Sequence, residues 1–373
     1  MKKNNTCQQS SKRGKKAPKG SMTIGMDLGE KTSRYCVLDN DGEIVREASV
    51  GTTKKAMKQV FGPMKHCRIA VEVGTHSPWV SRLLTKLGHQ VIVANARRVK
   101  LISESSCKDD RLDAQTLARL ARVDPQLLHP IRHRSEQAQA DLMVIRVRAA
   151  LVETRTSLVN TARGLAKSVG ERLPKCDAAQ MGVEQMESLP AALQETLRPL
   201  LEQIESLTEK IKESDGRIEQ IARKEYPETA LLKQVSGVGT LIALTFVLTI
   251  EDRERFQKSR DVGCYVGLRP KRSESGERQP ELRITKEGDV YLRKLLVQGA
   301  QSILKQKSPD TDLKRWGLQL AGNSKNKKKR AIVAVARKLA ILLHRLWVTG
   351  EVYEPLRNSQ IRQQQQKVTQ KVA

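Results

Sequence analysis

The chain has 373 residues, enough for two or three domains that each bury a core, and its 68 Lys and Arg against 41 Asp and Glu leave a formal net charge of +27. Such an excess calls for a polyanionic partner, because neutralised phosphates release counterions, and it fixes a class of partner without a mechanism. The cysteines Cys7, Cys36, Cys67, Cys107, Cys176 and Cys264 form no C-x-x-C pair, no apolar run approaches the ~20 residues of a membrane helix, and the Lys-, Ser- and Asn-rich start has no apolar core, so a zinc site, a membrane span and a signal peptide are not expected and reduced thiols in a cytoplasmic protein are.

Residues 1–21 read as a disordered basic arm. A short apolar run from Thr23 to Leu28 then predicts a first strand that carries Asp27 near its end, and Arg34 to Leu38 a second. Asp39-Asn40-Asp41-Gly42 is a turn, followed by a third strand from Glu43 to Val50. A helix is expected from Thr53 to Met64. A fourth strand spans Arg68 to Val73 and bears Glu72, and a helix from Ser77 to Leu87 places Trp79, Leu83, Leu84 and Leu87 on one face. Gln90 to Ala94 is the fifth strand. A three-strand meander followed by alternating helix and strand suits a mixed sheet with helices on its faces, the order of an RNase H-like fold.

From about 135 to 225 the chain reads as almost wholly helical, with Pro174, Pro190 and Pro199 breaking or bounding the helices. Leu197, Ile204, Ile211 and Ile218 recur every seven residues, with Leu200, Leu207, Ser214 and Ile221 as a companion seam. Four heptads in register point to a coiled coil, paired between molecules or antiparallel; a long helix packed on its own chain is the plainer alternative. Leu231 to Leu346 is mostly helical and basic, and 357–373 reads as a disordered tail.

Four acids stand out by position. Asp27 and Glu72 sit at strand ends, and Asp110 and Asp113 share one face at the start of a helix. Carboxylates that converge repel one another unless a cation lies among them, and Mg²⁺ is hard, oxygen-seeking and at home beside phosphate. Asp27 read alone is equally a turn residue, and Asp110 and Asp113 equally acids that favour the helix dipole. Asp109 competes with Asp110, since a slip of one residue is easy there.

Further on, Val235-Ser236-Gly237-Val238-Gly239 lies between two apolar helical stretches, Thr229 to Gln234 and Leu241 to Thr249. This is a helix-hairpin-helix pattern whose glycines let backbone N–H groups approach a phosphate, or else a structural turn. A Gly/Pro/Arg-rich loop with Arg269, Lys271 and Arg272 presents Ser273 and Ser275 in a positive field, and Lys286, Arg293 and Lys294 follow. Either serine is a weak nucleophile without activation and more often a loop hydrogen-bonder. The basic run 325–330 suits phosphate contact or a solvated surface. Aromatic residues are only 3%, so base-stacking platforms are not expected.

Gly25-Met26-Asp27-Leu28-Gly29 with Lys31, then Val71-Glu72, then Lys108-Asp109-Asp110-Arg111-Leu112-Asp113-Ala114 resembles the DEDD transposases of bacterial insertion sequences, whose catalytic domain is similar to the Holliday-junction resolvase RuvC. Asp109 departs from the family, which usually carries Ser or Thr there. The stretch from Tyr265 to Leu296, with its Gly-Leu-x-Pro and Ser-Gly pairs, resembles the family's second domain. The resemblance implies Asp27, Glu72, Asp110 and Asp113 as Mg²⁺ ligands, Ser275 as the nucleophile that becomes joined to DNA with Ser273 as fallback, and Lys108, Arg111, Gly237, Gly239, Arg269, Lys271, Arg272, Lys286, Arg293 and Lys294 as nucleic-acid contacts. It also implies double-stranded DNA at element ends and target, a non-coding guide RNA, and a homo-oligomer, dimeric and then tetrameric on DNA, in the bacterial cytoplasm near the nucleoid.

The expected fold class is therefore α/β plus all-α: an RNase H-like (RuvC-like) catalytic domain over 22–130, a helical coiled-coil dimerisation segment over 131–228, a mostly helical C-terminal transposase domain with a helix-hairpin-helix over 229–350, and tails at 1–21 and 351–373. The expected function is cleavage and rejoining of DNA by a site-specific recombinase of an insertion sequence. The rivals are a metal-dependent structure-specific endonuclease that acts by hydrolysis, and a non-enzymatic basic scaffold.

Overall fold

The structure, a computed structural model, describes residues 22–95, 99, 109–271, 273 and 282–361. They fall into two compact units that divide between Arg134 and Ser135.

The first unit is a five-stranded mixed sheet in the order β3-β2-β1-β4-β5, with strands β1 (Thr23–Asp27), β2 (Thr32–Leu38), β3 (Ile44–Gly51), β4 (Arg68–Glu72) and β5 (Gln90–Ala94). β1, β2 and β3 form the antiparallel meander, and β4 and β5 continue it in parallel. Asp39 Oδ1 accepts the amides of Asp41, Gly42 and Glu43, and Gly42 takes φ +90°, so the β2–β3 turn is built from its own side chain and the one residue free to adopt that dihedral.

Alternation along the strands sorts the two faces. Ile24, Met26, Tyr35, Val37, Ile69 and Val71 point to one side and bury against α1 (Lys54–Phe61) and α2 (Ser77–Lys86) through Met57, Phe61, Val80 and Leu84. Val80 and Leu84 form the buried stripe of α2, and Trp79, Leu83 and Leu87 flank it half-buried, a rotation from the expected face. On the other side Cys36, Leu38, Ala70, Ile92 and Ala94 receive α3 (Asp110–Val123) through Ala114, Leu117, Ala118 and Ala121.

The second unit is helical. α4 (Glu136–Ser168) and α5 (Ala191–Glu225) are long helices. Leu197, Leu201 and Ile204 pack with Val159, Ala162 and Ala166, whereas Ile218 and Ala222 pack with Ala138, Leu142 and Ile145, so the two helices run antiparallel within one chain. The heptad residues Leu197, Ile204, Ile211 and Ile218 are all buried, as the periodicity requires. The expectation of near-continuous helix fails between the two: residues 169–190 carry only a 3₁₀ turn at Val183–Met186. Gly170 at φ +86° ends the first helix, and Pro190 caps the second. Pro199 is a correction too, because it lies inside α5 without ending it.

After α5 come α6 (Thr229–Leu232), α7 (Thr240–Ile250), α8 (Arg260–Tyr265), α9 (Val290–Ile303), α10 (Asp312–Ala321) and α11 (Lys325–Thr349). Their shared core joins Phe246, Val247, Leu292, Leu296, Ala300, Leu339 and Leu343. Leu244 and Leu248 of α7 also pack on Leu142, Ile145 and Ile218. The helical hairpin and the C-terminal helices therefore belong to one unit, where two separate segments were expected. The chain from 351 is likewise docked as far as 361: Asp312 N–H donates to the Pro355 carbonyl at 2.8 Å, and Arg315 donates to Ser359 Oγ at 3.2 Å. The rest of the expected tail, and the arm at 1–21, lie outside the described residues. No helix among those described is long and apolar enough to cross a membrane.

Candidate active site

The acids converge for reasons that start with strand register. β1 and β4 are parallel neighbours, with Met26 opposite Val71, so their C-terminal acids Asp27 and Glu72 end side by side. Counting by twos from Gly25 and from Ala70 puts both carboxylates on the face that α3 covers. That face is paved with small residues. A Cβ at Gly25 would stand 2.0 Å from the Ala114 carbonyl and 2.3 Å from the Ala118 amide, so the helix backbone rests directly on β1. Asp110 and Asp113 extend the buried stripe Ala114, Leu117, Ala118, Ala121 by one turn towards the same edge.

The electrostatics agree with this placement. Burial, and then the charges of Asp110 and Asp113, push the Asp27 carboxyl up to about 6 from an ordinary 3.8, against a backbone hydrogen bond from Leu28. Glu72 is raised by burial and then by Asp27 and Asp113. Each acid thus feels at least one other. Asp109 does something else: its Oδ1 accepts the Arg111 amide at 2.9 Å and caps α3. Among the described residues no three His, Cys, Asp or Glu side chains are drawn up closely enough to hold an ion as they stand. In chemistry the set still fits Mg²⁺, being all oxygen, anionic and mutually repelled.

Four further side chains, Ser77, His133, Thr52 and Ser33, support this edge and carry no chemical role in the sequence reading. Ser77, fully buried at the start of α2, accepts the Gly74 amide at 3.0 Å, donates to the Gly74 carbonyl at 2.8 Å and lies 2.9 Å from His133 Nε2. This pins the loop that leaves Glu72. Burial, and then Arg82 and Arg134, hold the His133 imidazole below its usual value, which keeps it neutral beside the serine. The Ser77-Pro78 step at a helix start was a local signal; His133, distant in sequence, had none. After Asp27, Thr52 Oγ1 donates to the Gly29 carbonyl at 2.9 Å and lies 2.8 Å from Ser33 Oγ, which fixes the loop bearing Lys31.

The expected nucleic-acid contacts divide. Arg111 is exposed and paired with Glu47 at 2.8 Å. Lys108, Arg272 and Ser275 lie outside the described residues. In the second unit, Gly237 takes φ +82° and faces the Gly299 carbonyl, so it closes a turn against α9, whereas Gly239 has open space before it. α6 is only one turn long, which shortens the first helix of the expected hairpin. Arg269 and Lys271 lie on a strand-like arm paired with Arg283 and Thr285. Ser273, Lys271 and Lys286 are exposed. Lys294 is exposed too and reaches Glu153 at 3.3 Å. Arg293 is a correction: it is 9% exposed and donates to two backbone carbonyls, so it does not face a nucleic acid.

Residues 24–170 match the DEDD transposase family of the IS110 type, and residues 229–314 match the transposase family IS116/IS110/IS902. Over 356 residues the chain is 26% identical to the transposase for insertion sequence element IS1111A of Coxiella burnetii, covering 92% of this chain and 94% of that one. A probable family 20 transposase of Pseudomonas aeruginosa is 27% identical over 89% of this chain and 98% of its own length. The transposase for insertion sequence element IS1328 of Yersinia enterocolitica is 27% identical over 74% and 82% respectively.

Proposed function

The chain belongs to the IS110 family of insertion-sequence transposases, and we propose that it moves its element by a serine-linked exchange of DNA strands assisted by the four-acid edge. The observation that carries the reading is the adjacency of Asp27 and Glu72 at parallel strand ends beneath the first turn of α3. Asp27, Glu72, Asp110 and Asp113 would hold Mg²⁺, which supplies charge neutralisation at the scissile phosphate when bound. The Ser275 hydroxyl oxygen attacks phosphorus. The bond to the leaving deoxyribose oxygen breaks, that oxygen takes up a proton to become a free hydroxyl end, and a serine–phosphate diester remains. A hydroxyl end from the exchanged strand then attacks the diester, restores DNA and returns the serine. Ser273 is the alternative nucleophile.

The net charge of +27 supports binding to a polyanion, and the partners in this reading are DNA and a non-coding guide RNA. The acids and the serine are far apart in the chain, so the active centre is read as composite, with the acids of one copy serving the serine of another in a dimer that pairs again on DNA. Trapping the protein on end-labelled DNA tests the chemistry. Wild type and Asp109→Asn form a covalent adduct, and Ser275→Ala does not; an adduct of normal yield from Ser275→Ala, with Ser273→Ala also active, rules the serine out. Mixing Asp27→Asn with Ser275→Ala restores exchange if the centre is composite. The hydrolytic alternative draws on the same acidic edge, and it is the reading to adopt if cleavage proceeds with no trapped protein.

A further inference from the structure

We propose that Arg293 is a positioning residue that holds the base of the serine-bearing ribbon in register, and not a contact to nucleic acid. The inference rests on the serine reading above for its functional consequence, but its geometry stands by itself. Two arms, Leu268 to Lys271 and Leu282 to Lys286, run antiparallel toward the segment that contains Ser273 and Ser275. Lys271 N–H donates to Arg283 at 2.9 Å, Thr285 N–H to Arg269 at 2.9 Å and Lys286 N–H to Gly267 at 3.1 Å, with a bridge between Pro270 and Ile284.

Below these rungs the two backbones cross almost in contact. A Cβ on Gly267 would lie 2.1 Å from the Glu287 carbonyl, and one on Gly288 would lie 2.0 Å from the Tyr265 carbonyl. Both glycines also take positive φ, +70° and +75°, and Lys286 between them takes +59°. Such a crossing turns two carbonyls, Val266 and Glu287, inward. Arg293 reaches both with one nitrogen: Nη1 donates to Val266 O at 3.0 Å and to Glu287 O at 2.8 Å. Its guanidinium is one of few charged groups buried in this unit and so bridges the outgoing and returning strands at the point where both leave the core. Asp289, one residue past the crossing, caps α9 through the Leu292 amide at 2.8 Å and pairs with Arg146 at 2.5 Å, so the returning arm is fixed on both sides of Glu287, the residue whose carbonyl Arg293 holds.

A serine that must meet a phosphorus atom within a narrow range of positions loses rate steeply when its support shifts, about 100-fold for a displacement of ~1 Å. A buried clamp should therefore act on the rate of the bound complex and leave DNA affinity alone. The test compares Arg293→Gln, Arg293→Lys and, as a core control, Ile204→Ala, which lies fully buried in the same unit within a cluster that holds no residue of the ribbon. For each full-length protein one measures single-turnover strand cleavage at saturating DNA, the half-saturating DNA concentration against salt, and amide exchange at Lys271, Thr285 and Lys286. Arg293→Gln is expected to lose about 100-fold in cleavage rate, keep the half-saturation point and salt slope, and exchange faster at those amides. Arg293→Lys should recover part of the rate, because an ammonium still donates to a carbonyl. Ile204→Ala should keep both rate and ribbon protection. A salt slope lowered by about one in Arg293→Gln would mean a lost phosphate contact and overturn the proposal, as would unchanged protection of the three amides. If both Ser273→Ala and Ser275→Ala cleave normally, the serine reading fails, while the amide-exchange result still decides whether Arg293 holds the ribbon.

Discussion

Replacing Asp27 by Asn should stabilise the sheet unit while abolishing strand cleavage. Burial and the neighbouring charges of Asp110 and Asp113 raise this carboxyl from 3.8 to about 6, so at neutral pH the protein holds a charge that its surroundings disfavour. At about 1.4 kcal/mol per pH unit the full rise corresponds to ~3 kcal/mol. Asp27 is only half-buried, and water screens part of the repulsion, which leaves ~1–2 kcal/mol. The sign follows from linkage: the folded state keeps its proton to higher pH than the unfolded chain, so wild type loses stability as pH rises from 3.8 to about 6. The variant has no such loss. The assay is amide exchange at Ile24 and Ile69, corrected for intrinsic rates, in metal-free buffer across that range. The gap in opening free energy between variant and wild type should be absent at the acid end, widen through the window and stay constant above it. Excess Mg²⁺ should then protect wild type more than the variant, because an ion that binds only the folded state adds stability in proportion to its affinity. A variant no more stable than wild type at neutral pH, or equal protection of both by Mg²⁺, would refute the idea of a repelling acidic cluster that receives the ion.

Gly25→Ala should prevent α3 from seating, since its Cβ would meet the Ala114 carbonyl at 2.0 Å; the expected outcome is loss of soluble protein, or of protected amides in β1 and α3, and normal exchange there would contradict the close approach. Ile204→Ala, in the buried seam between α4 and α5, should cost ~2–5 kcal/mol in urea unfolding of the helical unit. His344 is buried with Nδ1 3.0 Å from Ser259 Oγ and Nε2 3.0 Å from the Arg253 carbonyl, and burial holds its imidazole below the ordinary value against the raising effect of the Arg253 carbonyl. Its contribution is therefore full above the unfolded value near 6.5 and is lost as pH falls below it. Acid titration of wild type against His344→Gln should show a shallower decline in the variant. Asp110→Asn should remove cleavage where Asp109→Asn, which keeps a competent helix cap, retains it; equal loss in both would mean that the helix start, and not one carboxylate, matters.

Much of the sheet was legible because strand alternation is a local signal. The fifth strand has the expected bounds at Gln90–Ala94, and the others differ by one or two residues at their ends. The heptads of α5 also declared a buried seam, but periodicity gives a face without a partner, and here the partner is α4 of the same chain. The interruption at 169–190 was underweighted: Gly170 and Pro174 were present as stop signals within a polar stretch that otherwise resembled helix. Arg293 was misread for a related reason. Its spacing to Leu296 and Ala300, three and seven residues on, already placed it on the buried stripe of α9, yet its charge suggested a surface role. Only the crossing of two glycine-bearing segments supplies the carbonyls that make a buried guanidinium acceptable.

The amino-acid order by itself determined the five strands, most of the helices and which acids stand at their ends, because those properties depend on neighbours within a few positions. It did not determine that Asp27 and Glu72 end side by side, that α3 comes close enough to bring its acids to them, or that Ser77 and His133 brace the adjoining loop. Those depend on a parallel pairing across more than forty residues and on small side chains that meet only when the sheet and helix are assembled. Long-range contacts of this kind leave no periodic trace along the chain, so the tertiary structure alone decides them.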